Sequence, residues 1–132
     1  MHDLKSLETE RLRLRPLLAR DAEVIEQLLN DRTLASHTES IDFPYPKGTA
    51  SRWIDQNCDR WQIGEAYVLA ICQKEAERLI GTVELIANKQ HHRAELSYWI
   101  GPDFWNQGYA TEAATCLVSY GFKELGFARI TS

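Results

Sequence analysis

A mixed α/β domain of the α+β kind, with a mostly antiparallel central sheet flanked by helices, is the fold class the sequence predicts, and three observations predict it. Residues 11–16 alternate arginine and leucine with a period of two. Three short apolar, β-rich runs, Ala66–Cys72, Leu79–Ile86 and Ala94–Ile100, follow one another with only polar turns between them. Segments before and after those runs carry apolar residues at helical spacing. A chain of 132 residues supports one compact domain and is too short for two ordinary ones.

Each element has its own reason. Arg11, Arg13 and Arg15 alternate with Leu12 and Leu14 and stop at Pro16, which predicts a strand with one wet face. Asp21 is placed to cap a helix whose stripe is Val24, Ile25, Leu28 and Leu29, fading at Asn30 and Asp31. Ser36–Gly48 carries Pro44 and Pro46 and predicts a loop that exposes Phe43 and Tyr45. A second helix starts near Thr49, turning Trp53, Ile54 and Trp61 inward and Asp55, Asn57 and Asp59 to solvent. The three apolar runs then form an antiparallel meander, because turns this short cannot carry a crossover. Gly108–Leu125 predicts a helix that Gly126 ends, and "FARITS" opens a further strand.

Composition narrows the function. A net charge of -4 argues against nucleic acid, whose phosphates need a concentrated basic face. No apolar run reaches the roughly 18 residues of a membrane span, and the start lacks the apolar block of a signal peptide, so the expected address is cytoplasmic. Cys58, Cys72 and Cys116 form no C-x-x-C pair and are expected to be reduced and buried. No metal site is predicted.

The segment "PDFWNQGYATEA", residues 102–113, sets one glycine between a strand and a helix and contains no lysine or arginine. The first N–H groups of a helix lack intrahelical partners and lie at the positive end of its dipole, so such a turn suits a phosphate without a cationic side chain. An ordinary tight connection has the same spacing. Neither G-x-x-x-x-G-K-[ST] nor G-x-G-x-x-G is present.

"LETERLRLRPL", "GTVELI", "AELSYWIGPDFWNQGYATEA" and "YGFKELGFARI", in that order, resemble the GNAT (GCN5-related N-acetyltransferase) family, and within it the branch that acetylates the N-termini of ribosomal proteins. The resemblance implies the GNAT fold and acetyl-CoA as acetyl donor. The family's acyl-CoA motif, R/Q-x-x-G-x-G/A, falls on Trp105, Asn106, Gln107, Gly108, Tyr109 and Ala110, with Thr111 following. Gly108 and Ala110 match, whereas Trp105 replaces the usual Arg or Gln and Asn106 stands where the branch often has glycine. Backbone groups at Tyr98, Trp99 and Ile100 are the implied contacts of the pantetheine arm. Glu95 and then Glu84 are the candidates for general base, and Glu95 shares a strand face with Ser97 and Trp99. His37, Phe43, Tyr45 and Ser97 are the candidates for the acceptor wall.

The implied acceptor is a primary amine, with a protein or peptide N-terminus favoured by the branch. An α-amine with a pKa near 8 is roughly one-tenth neutral at pH 7, and a lysine near 10.4 far less, so a base assists both. The family continues past "ARI" through further strands, a helix and a tyrosine acid, which implies that this domain lacks its C-terminal part. An exposed sheet edge would then invite a homodimer. The alternative is a non-catalytic module that binds acyl-CoA or a partner.

Overall fold

The computed structural model describes residues 6–37 and 41–132. Thr38–Ser40 of the expected loop and residues 1–5 lie outside them. In chain order the elements are β1 (Leu7–Glu8), β2 (Leu12–Pro16), α1 (Asp21–Leu29), α2 (Arg32–Ser36), α3 (Thr49–Gln62), β3 (Ala66–Gln73), β4 (Arg78–Asn88), β5 (Arg93–Ile100), α4 (Tyr109–Lys123) and β6 (Arg129–Thr131). The strands form one six-stranded sheet in sequence order. All neighbours are antiparallel except β5 and β6, which run parallel because α4 carries the chain back across the sheet.

The sheet is covered on both faces. Leu12, Leu14, Leu69, Ile71, Val83 and Leu85 pack with Ala113 and Leu117 of α4. On the other face Val68, Ala70 and Cys72 pack with Ile25, Leu29, Leu34, Ala50 and Ile54 of α1 to α3. This is why β3 is an unbroken apolar run: neither of its faces meets water. Among the described residues no helix is long and apolar enough to cross a membrane.

Four expectations are corrected. Asp21 does not cap α1; its carboxylate accepts two 2.8 Å bonds from Arg15 and one from the Leu18 amide, and the ion pair lets it sit buried. Asp31 is a true cap, accepting from the Leu34 amide at 2.9 Å, and it starts the short α2, whose last residue Ser36 was expected to open the loop. Asn57 is buried rather than solvated, since it continues the Ala50, Ile54 and Trp61 stripe and satisfies its amide on the Trp53 carbonyl of the preceding turn. Cys72 is buried, but Cys58 is exposed and Cys116 only partly covered.

Gly81 shows how closely β4 and β5 approach. A Cβ there would lie 2.1 Å from the Trp99 carbonyl oxygen, a distance no side chain tolerates. The β3–β4 register also shifts at this point, with Ile71 opposite Gly81 and Cys72 opposite Leu79. The bulge bends β4 just where β5 leads into the glycine loop.

Candidate active site

A cleft of about 800 Å³ opens between α2, residues 41–46, the start of α3 and the faces of β4 and β5. The register builds its floor: Glu84 stands directly opposite Ser97 and Thr82 opposite Trp99, so Glu84, Ser97 and Trp99 share one face. His37 and Tyr45 enter from the helical side, and Trp105 closes the end nearest the loop. Seven of the predicted site residues therefore meet at one cleft: His37, Tyr45, Glu84, Ser97, Tyr98, Trp99 and Trp105.

Other predicted residues stand elsewhere. Glu95 shares the Glu84 face but sits opposite Ile86, is exposed and does not line the cleft. Phe43 lies in an adjoining depression with Arg32 stacked 4.9 Å from its ring centroid. Ile100 buries its side chain in the core. Asp42 and Trp53 line the cleft and were missed by sequence reasoning, although an aromatic beside the Pro44–Pro46 segment was the available signal.

Burial pushes the Glu84 carboxyl up; Arg60 opposes this and Glu95 adds to it. A carboxylate with a raised pKa holds a proton more readily than one in water. His37 places Nδ1 2.9 Å from the Thr33 carbonyl, a bond that requires the proton on Nδ1, and its ring meets Trp105 edge-on with centroids 4.9 Å apart.

The strand edge beside the cleft is sorted by the ladder. The Gly101 amide donates to the Ile80 carbonyl at 2.8 Å. By antiparallel alternation, Ser97 and Trp99 then spend their main-chain groups on β4, while those of Tyr98 and Ile100 point to the opposite edge. There the Ile100 carbonyl accepts the Trp105 indole N–H at 2.6 Å. Pairing with β6 covers only Arg93–Glu95, so the Tyr98 N–H and C=O lie beyond it.

The loop that follows is built for a left-handed turn. Asn106 has φ 62° and Gly108 φ 81°. Asparagine is among the non-glycine residues that best tolerate this region, which answers why it can stand where glycine is usual. The first intrahelical bond of α4 runs from Glu112 N–H to the Gly108 carbonyl at 3.0 Å, which leaves the Tyr109, Ala110 and Thr111 amides ahead of it.

Residues outside the loop fix its helix. Glu112 accepts from the Thr9 hydroxyl, from the Arg11 amide at 2.9 Å and from Arg11 Nε at 2.7 Å. Burial alone would raise this carboxyl, but these donors together hold it below its ordinary range. Arg11 also stacks 4.4 Å over the Tyr109 ring, and its guanidinium would lie 3.3 Å from a Cβ placed on Gly108. A cation thus reaches the loop from the turn before β2 although the loop has none of its own. Among the described residues no group of three or more His, Cys, Asp or Glu is placed to hold a metal ion.

Residues 11–132 match the family model described as an acetyltransferase (GNAT) domain. The uncharacterised N-acetyltransferase YoaA of Bacillus subtilis is 33% identical over 132 residues, covering 94% of this chain and 70% of YoaA. A Vibrio cholerae protein, provisionally named a ribosomal-protein-serine acetyltransferase, superposes with a TM-score of 0.81 at 29% identity, over 96% of this chain and 71% of that one. Spermidine N(1)-acetyltransferase of Escherichia coli is 28% identical over 119 residues, 90% of this chain and 61% of that enzyme.

Proposed function

The chain belongs to the GNAT acetyltransferase family, whose acetyl donor is acetyl-CoA, and we propose that it acetylates the α-amine of a protein or peptide N-terminus. The observation that carries the reading is a partly buried carboxyl, Glu84, opposite Ser97 on the floor of a cleft that a free strand edge borders.

In this reading the pyrophosphate of acetyl-CoA rests on main-chain N–H groups from Gln107 to Thr111, at the positive end of α4. Arg11, held by its ion pair with Glu112, places its guanidinium beside Gly108. The pantetheine arm runs along the Tyr98 edge like an added strand, pairing with the Tyr98 carbonyl, and Trp105 holds the far side. The thioester then lies over Ser97 and Trp99, facing Glu84.

The amine attacks the thioester carbon, forming the C–N bond and moving the carbonyl electron pair onto oxygen, where the Tyr98 N–H is the nearest free main-chain donor on this edge. Glu84 takes the proton the amine sheds, directly or through one water. Its raised pKa suits this, because a base nearer neutrality both accepts and returns a proton at working pH. Collapse of the intermediate breaks the C–S bond, its electron pair leaving on sulfur, and CoA departs as a thiolate that takes its proton from water. Glu95, outside the cleft, takes the secondary place.

Thiol release from acetyl-CoA in the presence of a peptide with a free N-terminus tests this reading. CoA released in step with acetylated peptide is the expected outcome, and the absence of both CoA binding and release overturns it.

A further inference from the structure

We infer that the acceptor is a singly charged amine on an apolar or aromatic body with no acidic group beside it: as a peptide, a chain whose first residue is apolar or aromatic and whose opening residues carry no carboxylate. The inference rests on the N-terminal acetylation proposed above and narrows it.

Three features of the cleft carry it. Its charged lining is acidic, Asp42 and Glu84, and among the described residues no lysine or arginine lines it. An acceptor carboxylate would therefore meet two carboxyl groups and, among the described lining residues, no lysine or arginine to pair with, whereas an ammonium meets complementary groups. Second, Tyr45, Trp53, Trp99 and Trp105 dominate the wall. Aromatic faces favour an approaching cation and then bury the apolar group attached to it.

Third, the number of carboxylates argues against a polyamine. Once Glu84 serves as base for the reacting nitrogen, Asp42 is the one other carboxylate among the described lining residues that can compensate further ammonium groups along the same cleft. Each additional cation would be desolvated against aromatic and aliphatic surface without its own partner. A single amine needs no such series.

The test is a panel of peptides identical except at the first residue, with Phe, Leu, Ser, Asp or Glu there, plus one with Asp second, and spermidine beside them. Acetylation by the full chain is followed by mass spectrometry. Phe and Leu peptides should exceed the Asp and Glu peptides by about tenfold or more in kcat/KM, the scale of one unfavourable charge contact. Asp42→Asn should narrow that gap and Asp42→Lys narrow it further. Equal turnover of acidic and apolar peptides, or a gap untouched by both variants, overturns this inference and leaves N-terminal acetylation standing. Turnover of spermidine with no peptide accepted overturns the N-terminal reading itself.

Discussion

Glu84 and Ser97 face one another across β4 and β5, and both side chains open into the same cleft. An ordinary ladder position thereby becomes a place where a carboxylate, a hydroxyl and a free strand edge converge. Burial of Glu84 costs the fold something, because the charged form is desolvated.

That cost has a sign. Glu84 has a folded pKa above its unfolded value, so the folded state holds the proton longer and stability falls as pH rises between the two values. Glu84→Gln should therefore leave the melting temperature at pH 7 unchanged or higher. Wild-type kcat/KM should rise with pH as Glu84 ionises, and Glu84→Gln should lack that limb. Thermal melts and a pH–rate profile of the two proteins check both.

Trp105 does two jobs, bonding the Ile100 carbonyl and packing on His37. Trp105→Phe keeps a ring and loses the donor. Losing a hydrogen bond of about 1 kcal/mol should raise KM for acetyl-CoA about fivefold while kcat changes little. Steady-state kinetics with the peptide saturating measures this.

The Thr9, Arg11 and Glu112 cluster should give the protein an acid limb of stability. Glu112 has a depressed folded pKa, so its contribution is fully present above the unfolded value near 4.3 and is lost as pH falls through the folded one. Relative to wild type, Glu112→Gln should be less stable at pH 7 and converge with it in acid. Melts across that range give the comparison.

Gly81→Ala should destabilise by at least about 2 kcal/mol, since the new methyl meets the Trp99 carbonyl and the strands must part. Urea denaturation reports it. The same separation should weaken acetyl-CoA binding, because Trp99 and Ile100 lead directly into the loop.

The sheet was legible because β2 keeps a period of two and β3 a continuous apolar run, signals that need no tertiary knowledge. The two-residue β1 and five-residue α2 were not, since neither is long enough to show a period. Asp21 reads as a cap from its neighbours, and only the return of Arg15 reveals the ion pair. The glycine loop was legible as a turn, while the cation at its side was not: Arg11 and Glu112 lie 101 residues apart. Alternation placed Glu95 on the strand face of Ser97 and Trp99, while Glu84 was an in-strand candidate whose face only the β4–β5 register assigns. Which of them reaches the cleft depends on where α2 and α3 cover that face, and a strand pattern carries no record of it.

Parallel assay of wild type and Glu84→Gln with acetyl-CoA and a peptide beginning with phenylalanine, each product read by intact mass, tests the central claim most directly. Wild type should add one acetyl group to the α-amine, and the variant should bind CoA equally well but turn over about 10² to 10⁴ times more slowly. A variant as fast as wild type would contradict the account.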